Sequence, residues 1–346
     1  MGTEKTATTS LQHFFDHYRS EVLARGLTYT SAAGTANNWK LAVAAYDDSR
    51  RDDRSADAGV DEPGQREPFR KALVDGLGAE LDQARSAGAK SVLFSSEHLH
   101  SRLNTATELE RLAELLNKLG LDDITVVVYL RDPVALAASL HSTLVKYGST
   151  HRHPSPPHTP YYRNLCDHRA TVERWLGAFD SVVPRLFESE TLINGSIVDD
   201  LLATIGLHRG PEMVDLEIEH LNRSLSRAEL EVLSRINELV LSTNGNVGEN
   251  KHPFVNPAQQ RLAAAFERHS TGPAYQLPPA LAAQYREAFA DSNEWVRQRF
   301  FPGRDYLFAG ERPENPVGLN PAGFDGLASL IAELGLTSNN SAADPA

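Results

Sequence analysis

The sequence predicts an α/β fold, a parallel β-sheet flanked by helices and followed by a helical C-terminal third. Apolar strand-like runs alternate with amphipathic helices: SVLFSS at 91–96, a helix over 105–119, ITVVVYL at 124–130, then a helix from Pro133 to Lys146. That alternation is the mark of a parallel sheet covered by helices. The strand runs are continuously apolar rather than alternating, as strands buried on both faces are. With 41% hydrophobic and 23% charged residues in 346, the chain has an ordinary globular composition and can bury a sizeable core.

From the N-terminus, a Gly/Thr-rich loop leads into a helix over 10–25, where Leu11, Phe14, Phe15, Tyr18, Val22 and Leu23 recur at helical spacing and Gly26 is a natural stop. LTYTSA at 27–32 reads as a short strand and NNWKLAVAAYDD at 37–48 as a helix. Residues 49–66 are rich in Asp, Arg, Ser and Gly and read as a solvated, variable loop. A helix over 67–87 precedes the 91–96 strand, and Gly120 closes the 105–119 helix. A second variable loop spans 148–162, before a helix at 168–178. In VVPRLFE at 182–188, Pro184 predicts a strand that begins late or bulges. Helical segments follow near 225–242, 256–269, 278–290 and 291–299. The reading is one domain over 1–310 and an extension over 311–346, a short helix with a disordered tail.

Thirty-four Lys and Arg against 46 Asp and Glu give a net charge of −12, which argues against a nucleic-acid partner. The one cysteine, Cys166, leaves no intrachain disulfide and no cysteine-clustered metal site. No apolar run reaches eighteen residues, and the N-terminal stretch has no apolar leader, so a cytoplasmic protein without a membrane span is expected. No pattern in the sequence sets an oligomeric state.

Two constellations carry chemistry. In the first, Lys5, Thr6, Ala7, Thr8 and Thr9 run into a helix. Backbone N–H groups at a helix start, with hydroxyl residues and one Lys, make an anion site. The nucleotide-binding pattern G-x-x-x-x-G-K-[ST] is not met, because the Lys precedes the small residues. In the second, Arg131 ends the 124–130 strand and Ser139 lies eight residues on, about two helical turns. Ligands of open α/β sheets bind beyond the carboxyl ends of the strands, where Arg131 stands.

Together these segments resemble the sulfotransferases that use 3′-phosphoadenosine-5′-phosphosulfate (PAPS). In that family a Lys-[Ser/Thr]-Gly-Thr-Thr loop cradles the 5′-phosphosulfate, and an Arg with a Ser eight residues later binds the 3′-phosphate. SSE at 95–97, FESETLINGSIVDDLLATIGL at 187–207, NRSLS at 222–226 and FFPGRDYLF at 300–308 also look like bacterial members. The resemblance implies a P-loop-type parallel sheet, PAPS as sulfuryl donor and no metal. It assigns Lys5, Thr6, Ala7, Thr8, Thr9, Arg131, Ser139 and Arg223 to the cofactor, and Glu188 to bracing the cofactor loop.

Two departures stand out. The family places an apolar strand before the loop, so the first strand is expected to be truncated at the N-terminus. Ala7 occupies a family Gly position, where a Cβ disfavours positive φ. For acid/base work the candidates are Glu97, His98 and His100, just past the 91–96 strand; Glu97 is preferred as base and His98 is second. Lys5 is the expected catalytic cation. His151, His153 and His158 lie among prolines without a carboxylate partner, which disfavours a metal site. Tyr161 and Tyr162 in the same loop either stack on a sugar ring or anchor the loop. The expected reaction is sulfuryl transfer to a hydroxyl of a carbohydrate or glycoconjugate. The alternatives are a degenerate PAPS/PAP-binding protein and, less favoured, a P-loop phosphoryl-transfer kinase.

Overall fold

The computed structural model describes residues 3–214, 224–243, 261–266 and 273–311. The chain forms two compact units. One comprises 1–133, 157–217 and 285–315, the other 134–156, 218–284 and 316–346. The expected extension beyond Glu311 lies outside the described residues, as do Met1, Gly2 and Arg223. Among the described residues no helix is long and apolar enough to cross a membrane.

The first unit is a mixed α/β body, mostly helical. The N-terminal apolar stripe forms α1 (Thr8–His17) and α2 (Arg19–Ala24), not one helix. The break falls at Tyr18 (φ −100°, ψ 33°), whose ring packs on Phe14 and whose hydroxyl bonds Val214 N–H and C=O, both at 3.2 Å. After β1 (Leu27–Tyr29) and α3 (Lys40–Ala45), the stretch read as a solvated loop contains a helix, α4 (Asp53–Asp57). It folds because Asp52 caps it, accepting from Ser55 N–H (2.9 Å), and because Ser55 and Val60 are buried beneath it. Then come α5 (Arg66–Ser86), β2 (Ser91–Leu93), α6 (His98–Arg102) and α7 (Ala106–Lys118). A capping box between Thr105 and Glu108 starts α7.

β3 (Thr125–Leu130) pairs in parallel with β4 (Ser181–Leu186), and β1 pairs in parallel with β2. The single sheet expected from the sequence is thus two two-stranded sheets. Among the described residues no strand bridges β1 and β3; at that edge Thr3 N–H donates to Tyr129 C=O (3.0 Å). β3 is covered on both faces. Val126, Val128 and Leu130 pack into one core with α3, α5 and α7, while Val127 and Tyr129 join Leu11, Phe14, Phe15, Leu27 and Leu201 in another. Pro184 neither delays nor bulges β4. It sits in register with Val128, and β4 pairs only with β3 among the described strands, so a residue lacking N–H is tolerated. The unit also holds α9 (Pro160–Cys166), starting inside the second predicted loop, α10 (His168–Leu176) and α11 (Ile197–Thr204).

The second unit is helical, built from α8 (Pro133–Lys146, all but its first residue), α12 (Arg227–Thr243) and the start of α13 (Pro279–Phe300). Ser142 Oγ accepts from Leu225 N–H (2.8 Å), and Asn237 Nδ2 donates to Val145 C=O (2.9 Å) and Ser149 C=O (2.8 Å). The segments expected at 278–290 and 291–299 form the one helix α13, since no Gly or Pro separates them. Of the helix expected at 256–269, residues 261–266 are described and are helical.

A candidate anion and proton-transfer site

The loop before α1 is held in a tight conformation. Lys5 (φ 65°) and Ala7 (φ 53°, ψ 30°) are both left-handed, a region that L side chains enter at a cost. Thr6 is fully buried, and its hydroxyl donates to Thr3 C=O (2.7 Å), closing the turn. Thr8 is also buried, and Thr9 is half-buried. Ala7 caps α1 without a side-chain hydrogen bond, so the first-turn N–H groups at Thr8, Thr9 and Ser10 lack a side-chain cap. Arg131, just after β3, donates from its guanidinium to Lys5 C=O and stacks over the Phe187 ring at 5.6 Å. His168 Nε2 lies 2.9 Å from Arg131 C=O and donates to it, pinning the turn that presents Arg131. Arg131 is therefore tied to the backbone of the loop that carries Lys5 and leads into α1, and basic residues beside a helix start are a donor set suited to an anion.

Glu97 lies just before α6, and its carboxylate is held by two amides. Gln12 Nε2 donates to Oε2 (2.9 Å), and Asn37 Nδ2 reaches both oxygens at 2.9 Å. His98 Nε2 is 3.9 Å from Glu97 Oε1, and His98 Nδ1 accepts from Arg102 Nε (3.2 Å). A guanidinium only donates, so the neutral His98 carries its proton on Nε2. Burial lowers the His98 pKa, with Arg102 and Arg54 acting the same way against Glu97. Burial thus favours the neutral form of His98, whose Nδ1 lone pair is already engaged by Arg102. Arg102 is itself held by Asp52 (2.9 Å) and Asp53 (2.6 Å). His100 belongs elsewhere. It is buried with Nε2 3.3 Å from Thr171 Oγ1, and burial pushes its pKa down to about 3.

Sequence reasoning missed Gln12, Asn37 and Glu4. Glu4 accepts from the Tyr161 hydroxyl (3.1 Å), with the Ser101 hydroxyl within hydrogen-bonding reach. Burial raises the Glu4 pKa, and the charge of Glu97 adds to the effect. One signal was present for Gln12, a polar residue within the apolar stripe of α1 that proves buried.

Other expected site residues have different surroundings. Ser139 lies in the second unit, buried, with its Oγ 3.4 Å from Ser224 Oγ. Glu188 accepts from Ala309 N–H (2.7 Å) and Arg304 (3.2 Å), so it ties down the 304–309 segment where bracing of the cofactor loop was expected. His153 Nδ1 pairs with the Tyr275 hydroxyl at 2.9 Å. No family model, curated protein or solved structure matches the chain.

Proposed function

We propose that the protein is a cytoplasmic sulfotransferase, moving a sulfuryl group from PAPS to a hydroxyl of a carbohydrate or glycoconjugate and leaving PAP and a sulfate ester. On this reading the two parallel strand pairs belong to a P-loop-type sheet. The observation that carries the proposal is Arg131 bonded to the backbone of the Lys5 loop, in the same unit as an amide-held carboxylate, Glu97. That pairing is what sulfuryl transfer needs, an anion cradle and a proton acceptor.

PAPS, when bound, supplies the sulfuryl group. Lys5, Arg131 and the N–H groups at the start of α1 are the residues to hold it, and their charge offsets what accumulates on the leaving phosphate. Glu97 Oε accepts the proton of the acceptor hydroxyl. Gln12 and Asn37 keep the carboxylate from rotating away, so it meets the hydroxyl in a fixed orientation. His98 Nε2 lies 3.9 Å from Glu97 Oε1, beyond hydrogen-bond range, and takes no part in holding the carboxylate.

Calorimetry with PAP tests the cradle, and labelled sulfate transfer from PAPS tests turnover. Lys5→Ala is expected to abolish transfer; a variant with full activity overturns the role of the loop. The strained Ala7 favours a second reading, a PAP-binding protein without turnover. PAP binding with no transfer to any acceptor selects it, and absence of PAP binding overturns both.

A further inference from the structure

The sugar-stacking role considered for the tyrosine pair divides between its members. Tyr162 is buried, its ring edge-on to Tyr285 with centroids 5.9 Å apart, so it anchors α9 to α13. Tyr161 is 46% exposed although its hydroxyl is tied to Glu4 Oε2 at 3.1 Å. Its ring also meets Tyr162 edge-on, with centroids 5.5 Å apart. An aromatic side chain fixed at both its tip and its flank yet open to solvent loses little conformational entropy when a ligand lands on it.

The surroundings of the tether define the ligand. Glu4 adjoins Lys5, the residue assigned to the sulfuryl group, and lies within hydrogen-bonding reach of the Ser101 hydroxyl, which itself donates to Glu97 C=O (3.3 Å). Both carboxylates are bonded by neutral donors: Tyr161 on Glu4, Gln12 and Asn37 on Glu97. Arg102, the nearby cation, is occupied by Asp52 and Asp53. This corner offers one exposed aromatic ring and several hydrogen-bond acceptors. A flat phenol needs an apolar slot on both faces, whereas a pyranose presents one C–H face and a rim of hydroxyl donors.

We propose that Tyr161 and Glu4 form the acceptor subsite, Tyr161 carrying the C–H face of a pyranose ring and Glu4 accepting a hydroxyl next to the one that Glu97 deprotonates. This rests on the sulfuryl-transfer reading. It adds two specificity-determining residues and narrows the acceptor to a pyranoside.

The test measures labelled sulfate transfer from PAPS to methyl pyranosides (gluco, galacto and N-acetylglucosamine forms), to p-nitrophenol and to n-butanol, with PAP calorimetry on every variant. The wild type is expected to prefer a pyranoside. Tyr161→Ala should raise the KM for that pyranoside roughly tenfold or more while leaving the PAPS KM and the PAP affinity within about twofold. Tyr161→Trp should restore most of the loss because a ring remains, and Glu4→Gln should raise the pyranoside KM without altering PAP binding. Preference for p-nitrophenol or butanol over every pyranoside, or an unchanged pyranoside KM in Tyr161→Ala, overturns the inference and leaves the sulfotransferase reading standing. PAP binding without transfer to any acceptor, or no PAP binding by the wild type, overturns both.

Discussion

Ala7 bears the clearest strain in the loop, because a left-handed φ of 53° brings its Cβ close to its own backbone. Glycine removes that cost of roughly 1–2 kcal/mol but adds unfolded-state freedom worth roughly 0.5–1 kcal/mol. Ala7→Gly is therefore expected to raise stability by up to about 1 kcal/mol, read as a higher denaturant midpoint, and to tighten PAP binding in calorimetry. A lower midpoint would show that the loop is not strained by this Cβ. Lys5, at φ 65°, admits no such relief, since on the proposed reading its side chain is the cation of the loop. The proton-transfer pair gives the second residue-scale test. Glu97→Gln removes the acceptor of the hydroxyl proton and is expected to lower the transfer rate about 10²–10⁴-fold with PAP affinity retained. His98→Gln, whose lone pair serves Arg102, should cost far less. The reverse ranking would move the base to His98.

At the scale of elements, β3, β4 and α11 are joined by one buried carboxylate. Asp200, on α11 and fully buried, accepts from the Tyr129 hydroxyl on β3 (2.8 Å) and from Arg185 on β4 through Nε (3.0 Å) and an Nη. It also takes Ile193 N–H at 3.3 Å. Removing it leaves the buried Tyr129 hydroxyl without this partner and a partly exposed Arg185 without its ion pair, so Asp200→Ala should cost about 3 kcal/mol, the low end for a buried pair. Thr105→Ala, which deletes only the α7 cap, should cost about 1 kcal/mol. Urea midpoints of the two variants distinguish them, and comparable losses would show that the network does not hold the strands to α11. Elements of this kind are partly legible in the chain. The helix from Pro133 to Lys146 and the capped α7 are written locally, in a proline and a Thr-x-x-Glu pattern. The break at Tyr18 is not, because it depends on a distant partner, Val214, and the helix at Asp53–Asp57 is only half so: its cap, Asp52, is local, while the Arg102 that holds Asp53 is far away in sequence.

Across the whole molecule the same division holds for the site. Lys5 to Thr9, Glu97 and Arg131 are legible because each chemistry sits in one short run of sequence. Gln12 and Asn37, 85 and 60 residues from Glu97, become partners only through folding. Buried histidines are equally hidden in a sequence with a net charge of −12, yet they contribute to its response to acid. Burial pushes His100 down to about 3 and both His168 and His141 down to about 4, all below the ordinary value near 6.5. Between pH 6.5 and 4 the unfolded chain binds protons at these positions that the folded chain refuses, so stability falls as pH falls. By pH 5 the loss is on the order of 2 kcal/mol for each histidine. Glu4, Glu188 and Glu311, raised by burial, act with the opposite sign just above the usual carboxylate range, so the informative comparison is between variants at matched pH. His100→Gln, which keeps a polar group beside Thr171, should lose less stability than the wild type between pH 7 and 5, by about 2 kcal/mol. Urea unfolding at each pH measures the difference, and parallel curves for the two proteins would show that His100 is not held neutral by burial.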